Sequence, residues 1–219
     1  MDGRGPVVVL LCCGLAFAFI TQNVVADWGL ARLDPPVLRF MVSHRTGWLT
    51  GVFRTVTVLG SILFLWPVVA LAALVFRISG RGWLPGLTLA GSLSGAQILK
   101  SLVKALVGRP RPPAALAIGP FAGKSYPPGH VMQAFAVFVV LALLVWAGRS
   151  FRQRVAIGGL AISAILAVGA SRMYLGVHWM TDILGGLFLA GLWVSALILA
   201  AIKKVGASPG KGTRAIHPL

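Results

Sequence analysis

Polar residues along this 219-residue chain fall between long apolar blocks rather than alternating with them. Stretches nearly free of charge run over Val7–Ala26, Thr55–Phe76, Trp83–Val107, Pro128–Ala147, Val155–Ala170 and Ile183–Ile202. Each is close to the ~20 residues that a helix needs to cross bilayer hydrocarbon. Backbone amides cannot stay unpaired in that medium, so the blocks predict helices. The expected fold class is all-α, a polytopic membrane bundle of about six transmembrane helices. Small residues inside the blocks (Gly91, Ser92, Ser94, Gly95, Gly185, Gly186, Gly191) would let helices approach closely.

The connections differ in character. Asp27–Arg54 is long and contains Asp34-Pro35-Pro36; its Val37–Met41 stretch predicts a short amphipathic helix in the interface. Gly108–Pro127 is rich in proline, glycine and cations, whereas Arg77–Gly82 and Gly148–Arg154 are short basic hinges. Residues 1–202 read as one membrane domain, and 203–219 as a basic, disordered tail. With hydrophobic residues at 58% and a mean hydropathy of +0.89, a soluble globule is excluded.

Twenty Lys and Arg face four acids, Asp2, Asp27, Asp34 and Asp182, for a net charge of +16. The cations cluster at the ends of apolar blocks rather than on one face, so nucleic acid is not an expected partner. Most read as snorkelling anchors and topology signals in contact with the lipid bilayer. Cys12 and Cys13 are adjacent on a predicted helix and point apart, which argues against a disulfide, and no metal-ligand spacing occurs. The first block reads as a retained helix rather than a cleaved signal peptide.

With six spans, the loops after the first, third and fifth share one membrane face, and the termini with the two short hinges share the other. Each face carries ten cations; discounting three that belong to the motifs below tips the termini towards the cytoplasm. The expected location is therefore the plasma membrane, multi-pass. The alanine- and arginine-rich, glutamate-free composition points to a bacterial source, with the loop face outside the cytoplasm.

Three segments of that face place polar groups where lipid penalises them: Lys104 to Arg111-Pro112, Tyr126 to His130, and Ser171-Arg172 to His178 and Asp182. Arginine offers a planar fork matched to phosphate oxygens and lysine adds a point charge. Lys104, Arg111 and Arg172 could thus hold a phosphoryl group during transfer. A neutral His178 could attack phosphorus, with Asp182 four residues on supporting its other ring nitrogen. His130 could protonate the leaving alkoxide and then activate water. That chemistry needs no metal. Taken singly, Lys104 and Arg111 are more often interface anchors, Asp182 a helix cap, and a lone histidine a bystander; Tyr174 and Trp179 read as interface aromatics. Their ordered coincidence at three successive loop ends is what carries the functional reading.

The segments resemble the type 2 phosphatidic acid phosphatase superfamily, whose pattern is Lys-x6-Arg-Pro, Pro-Ser-Gly-His and Ser-Arg-x5-His-x3-Asp. Lys104, Arg111 and Pro112 match the first part, and Ser171, Arg172, His178 and Asp182 the third. The resemblance implies a phosphohistidine on His178, orientation by Asp182, acid catalysis by His130, and phosphate binding by Lys104, Arg111, Arg172, Gly129 and Ser171, with no cofactor. It implies a lipid phosphate or pyrophosphate as substrate, the candidates being a polyprenyl diphosphate, phosphatidylglycerophosphate and phosphatidic acid. The second motif departs from the pattern: Pro128 replaces serine and removes a hydroxyl and a backbone N–H. Two rivals share these residues, phosphotransfer to an acceptor alcohol and non-catalytic binding or transport of a lipid phosphate. Oligomeric state is not written in the sequence.

Overall fold

The structure, a computed structural model, describes residues 4–119 and 121–206. Its order is α1 (Arg4–Ala26), α2 (Asp34–Ser43), α3 (Gly47–Val56), α4 (Ile62–Phe76), α5 (Leu84–Val107), α6 (Gly129–Val145), α7 (Phe151–Tyr174) and α8 (Met180–Gly206). No strand occurs among the described residues. Four helical stretches are long and apolar enough on their own to cross a membrane: Arg4–Ala26, Ile62–Arg81, Phe151–Tyr174 and Met180–Lys203. The other two predicted spans are also helices, α5 with Lys100 and Lys104 in its last turns and the shorter, 17-residue α6.

α6 is the axis of the bundle, in contact with α4, α5, α7 and α8, while α1 lies along α8. Its Val131, Met132, Ala134, Ala136 and Val137 are fully buried, and Leu65, Leu89 and Leu93 close over its middle. Leu63, Leu71, Leu87, Leu102, Leu106 and Leu160 point outward, as expected of side chains whose solvent is lipid. The predicted close approaches occur at Gly95, where an added Cβ would overlap the Trp193 ring, and at Gly185, beneath Tyr126; Gly91 faces open space. Ser92 serves the same α5–α6 contact by donating to the Ala136 carbonyl at 2.9 Å.

Several predicted boundaries move. The second span does not begin at Thr55: α3 ends at Val56, a 3-10 turn covers Thr57–Gly60, and α4 starts after Ser61, whose hydroxyl accepts the Leu63 N–H at 3.3 Å. Gly60 is pressed against the His130 carbonyl, so the chain folds over the start of α6 before crossing the bundle. The amphipathic stretch predicted at Val37–Met41 lies within α2, with Leu38 buried and Phe40 exposed. α7 extends beyond both predicted ends, starting from a Ser150–Gln153 capping box. α8 runs past the predicted boundary at 202 to Gly206, and the rest of the predicted tail, 207–219, lies outside the described residues.

Candidate functional site

Two left-handed glycines aim the polar segments at each other. Gly108 (φ 63°) terminates α5 and donates to the Lys104 carbonyl at 3.2 Å, turning the next residues back across the bundle end. Gly176 (φ 73°) reverses the chain after α7, where an added Cβ would overlap the Leu116 carbonyl. Arg45 pins the same corner, with Nε 2.8 Å from the Tyr174 carbonyl and Nη2 2.8 Å from that of Leu116. Tyr174, expected at the interface, is instead buried, its hydroxyl accepting the Thr46 N–H at 3.0 Å.

The three motifs meet at a cavity of about 460 Å³ lined by Lys104, Arg111, Gly129, His130, Arg172 and His178, together with Lys100, Gln97, Gln133 and Ser61. No carboxylate lines it among the described residues. A cavity of similar volume, about 470 Å³, between α4, α6 and α7 is lined by apolar side chains and offers no chemistry.

His178 is buried, and both of its ring nitrogens are engaged. Nδ1 lies 3.2 Å from Asp182 Oδ2, and Nε2 lies 3.2 Å from Arg111 Nη1. A guanidinium N–H can only donate, so Nε2 accepts and Nδ1 carries the proton. The unprotonated Nε2 thereby faces Arg111, and both residues line the cavity. Burial pushes the His178 pKa down to about 4, although the hydrogen bond and charge of Asp182 work the other way. The ring is neutral at ordinary pH.

Asp182 answers to two readings at once. Its Oδ2 accepts the Trp179 N–H at 3.0 Å, as an acid in the first turn of a helix does, and the same oxygen faces His178. Arg111 is held by the carbonyls of Ala122, Gly123 and Val177 at 3.0, 3.0 and 2.7 Å. Burial lowers its pKa, against the pull of Asp182, but a guanidinium stays charged. Lys104 Nζ donates to the Lys124 carbonyl at 2.7 Å. Arg172 donates to the Thr57 hydroxyl at 2.9 Å, while its buried Nε–H has no acceptor. A buried donor left open beside a cationic cavity is what an anion would satisfy.

Ser171 does not join the others. It is fully buried and donates to the Val168 carbonyl at 2.6 Å, behind the cavity wall. Pro128 is likewise outside the lining: its Cδ, standing where an amide hydrogen would be, points at Gly186 of α8. An N–H there would have faced a helix rather than the cavity. Lys100 went unassigned in the sequence because it reads as one more cation of a span, yet it sits one turn before Lys104 and lies against Gly129. Asp34 and Arg109 also went unassigned. Asp34 is fully buried and bonded to Arg109 at 2.6 Å, and the sequence signal for it was its rarity: a lone acid in an apolar, basic chain requires a partner.

A sequence model of the PAP2 superfamily matches residues 85–205. The chain is 30% identical over 202 residues to phosphatidylglycerophosphatase B of Bacillus subtilis (strain 168), covering 91% of this chain and 96% of the relative. A crystal structure of a transmembrane PAP2-type phosphatidylglycerolphosphate phosphatase from Bacillus subtilis superposes with a TM-score of 0.77 at 28% identity, covering 93% of this chain and 98% of that one. The Aquifex aeolicus LpxE crystal structure shares the fold, with a TM-score of 0.64 at 22% identity over 81% of this chain and 99% of that one. The ordered motifs, the single cavity on which they converge and these likenesses agree: the chain is a multi-pass membrane member of the PAP2 superfamily.

Proposed function

We propose that this protein is a membrane lipid phosphate phosphatase that works through a phosphohistidine on His178. The observation that carries the reading is a neutral, carboxylate-supported His178 whose unprotonated Nε2, accepting from Arg111, lies at a cavity lined by Lys100, Lys104, Arg111 and Arg172. Family membership and the phosphatases among the similar proteins support the reaction class.

The steps follow from the contacts. The cations bind the phosphoryl oxygens and stabilise charge that grows during transfer. Arg111 Nη1–H turns from Nε2 to a phosphoryl oxygen, and the freed Nε2 forms a bond to phosphorus as the bond to the head-group oxygen breaks; that oxygen takes the electron pair and a proton from His130. The ring now carries positive charge, which Asp182 offsets through Nδ1–H. His130, left neutral, removes a proton from water; the water oxygen attacks phosphorus, and the N–P pair returns to Nε2. Free phosphate and the dephosphorylated lipid leave.

Ser61, Ile62 and Leu63 form one edge of the cavity, and Leu63 is 84% exposed on the lipid-facing side. Such an apolar lip suits a substrate whose tail stays in the bilayer while its head group enters. The similarity to phosphatidylglycerophosphatase B makes phosphatidylglycerophosphate the first substrate to assay, ahead of polyprenyl diphosphates and phosphatidic acid. The cation tally supports a site outside the cytoplasm.

The test uses purified protein in lipid nanodiscs with a chelator present. Free phosphate should be released without added metal, and a base-stable phosphoenzyme should form in the wild type but not in His178→Ala. Turnover that survives in His178→Ala, or that requires metal, overturns the mechanism. Phosphorylated acceptor alcohol in place of free phosphate would identify a transferase, and binding without turnover a carrier.

A further inference from the structure

Behind the cavity, on the side of Asp182 turned away from His178, lies a buried cluster in which only Asp182 is a matched motif residue. Arg109 Nη1 is 2.6 Å from Asp182 Oδ1 and 2.8 Å from the Thr181 hydroxyl, and its Nη2 is 2.6 Å from Asp34 Oδ2. Asp34 in turn accepts the Thr181 N–H at 2.8 Å and the Thr181 hydroxyl at 2.5 Å. Three parts of the chain therefore close on one another: the start of α2, the turn after α5 and the first turn of α8. The guanidinium is sheltered by the Trp179 ring, 5.7 Å from its centroid. The backbone on either side is fixed as well, since Ser125 donates to the carbonyls of Arg109 and Pro110.

We propose that Arg109 and Asp34 are positioning residues for the nucleophile: Arg109 occupies Asp182 Oδ1 and leaves Oδ2 aimed at His178 Nδ1, while Asp34 fixes both Arg109 and the turn that carries Asp182. The inference rests on the reading of His178 as the nucleophile. Trp179 N–H and Ser125 Oγ also donate to this carboxylate, at 3.0 and 3.5 Å, but Arg109 supplies the charged bond to Oδ1, and without it the histidine would lose part of the support that holds its orientation. Charge points the same way. Two buried carboxylates and one guanidinium leave a net single negative charge facing His178, which matches the positive charge the ring acquires on phosphorylation. Without Arg109 nothing would offset the repulsion between the two carboxylates, and Asp182 Oδ1 would lose its charged partner. Burial works against the Arg109 charge, but Asp182 and Asp34 more than offset it and hold its pKa above the ordinary value. Asp34 lies outside residues 85–205, so the N-terminal part of the chain takes a direct part in orienting the site.

The experiment compares Arg109→Gln, Arg109→Lys, Asp34→Asn and the Arg109→Gln/Asp34→Asn pair with His178→Ala, all in nanodiscs. Neither Arg109 nor Asp34 lines the cavity. Arg109→Gln should therefore lower kcat by about 10- to 100-fold, while KM and inhibition by inorganic phosphate stay within about twofold of wild type. Phosphoenzyme formation in a single turnover should slow by the same factor. Arg109→Lys should restore part of kcat, and the pair should be no slower than Arg109→Gln alone, because both residues act on one carboxylate. Wild-type kcat in Arg109→Gln and Asp34→Asn, beside an inactive His178→Ala, overturns the inference and leaves the phosphatase reading standing. A kcat loss that Arg109→Lys does not relieve, matched by an equal loss of phosphate affinity, marks general misfolding and also overturns it. Activity persisting in His178→Ala overturns the phosphatase reading instead.

Discussion

Both poles of the bundle hold a cavity lined by arginine, and only one has the means to use it. At the pole carrying the motifs, Arg111, Arg172, Lys100 and Lys104 surround about 460 Å³ together with His130 and His178. At the other pole, Arg81 and Arg149 border a smaller cavity of about 340 Å³ whose lining, among the described residues, contains no histidine. Arg81 donates to the Leu144 carbonyl at 2.8 Å, much as Arg111 donates to Val177 at 2.7 Å. Contacts to carbonyls therefore do not tell the two apart. What differs is burial and direction: Arg77, Arg81, Arg149, Arg152 and Arg154 are exposed, whereas Arg111 and Arg172 are partly enclosed and share their space with the buried ring of His178. Cations anchor a membrane protein wherever they fall, and they make a site only where the fold also excludes water and supplies a lone pair.

The largest effect should come from blunting the fork at the first pole. Arg111→Lys keeps the charge but cannot contact Ala122, Gly123, Val177 and His178 Nε2 together, as the guanidinium does. We expect kcat/KM for lipid phosphate to fall on the order of 100-fold, the cost of one lost charge-stabilising donor. A loss of less than about threefold would mean that Arg111 is an anchor like those of the opposite pole.

A smaller effect separates the poles by pH. The proposed attack requires a neutral His178, whose pKa is pushed down to about 4, first by burial, with Arg172 and Arg111 adding to the shift. A lowered pKa places protonation, and with it the loss of activity, at lower pH than for a solvated imidazole near about 6.5. Once corrected for the substrate's second ionisation near about 6 and for the protonation of His130 that the acid step requires, kcat/KM should show no loss assignable to His178 between pH 7 and 5.5, that loss setting in steeply only below about 5. An acid limb centred near 6.5 would place His178 in water, no better sheltered than the opposite pole.

The long apolar blocks made the bundle legible, because lipid leaves the backbone no alternative to helix and tolerates few charges within a span. The convergence of Lys104, Arg111, His130, Arg172 and His178 was legible too, since their parity along six spans assigns them to one face. What could not be read is what depends on side-chain direction. Ser171 belongs to the motif yet turns its hydroxyl back onto Val168, because it lies on the buried side of α7. Pro128 reads as a lost donor, but its ring is directed at Gly186. Asp34 and Arg109 are 75 residues apart, and no local spacing reveals that both reach Asp182 and its neighbour Thr181. Thr57–Gly60 falls within the predicted second span, and the contact of Gly60 with the start of α6 explains why it is a turn instead.

The smallest expected effect is at the opposite pole. Arg81→Ala combined with Arg149→Ala removes both cations from that cavity, together with the Leu144 contact and the 4.7 Å stacking of Arg81 on Phe76. Both side chains are exposed, so their contacts compete with water and head groups and contribute little to stability. Turnover should stay within about twofold of wild type, because no histidine stands among the described residues that line that cavity. The change should appear instead in topology: with two fewer cations beside the short hinges, a larger fraction of molecules should insert inverted, measured by cysteine labelling from each side of the membrane. A kinetic loss as large as that of Arg111→Lys in correctly inserted protein would show that the two cavities are coupled, and that burial and direction are not what separates them.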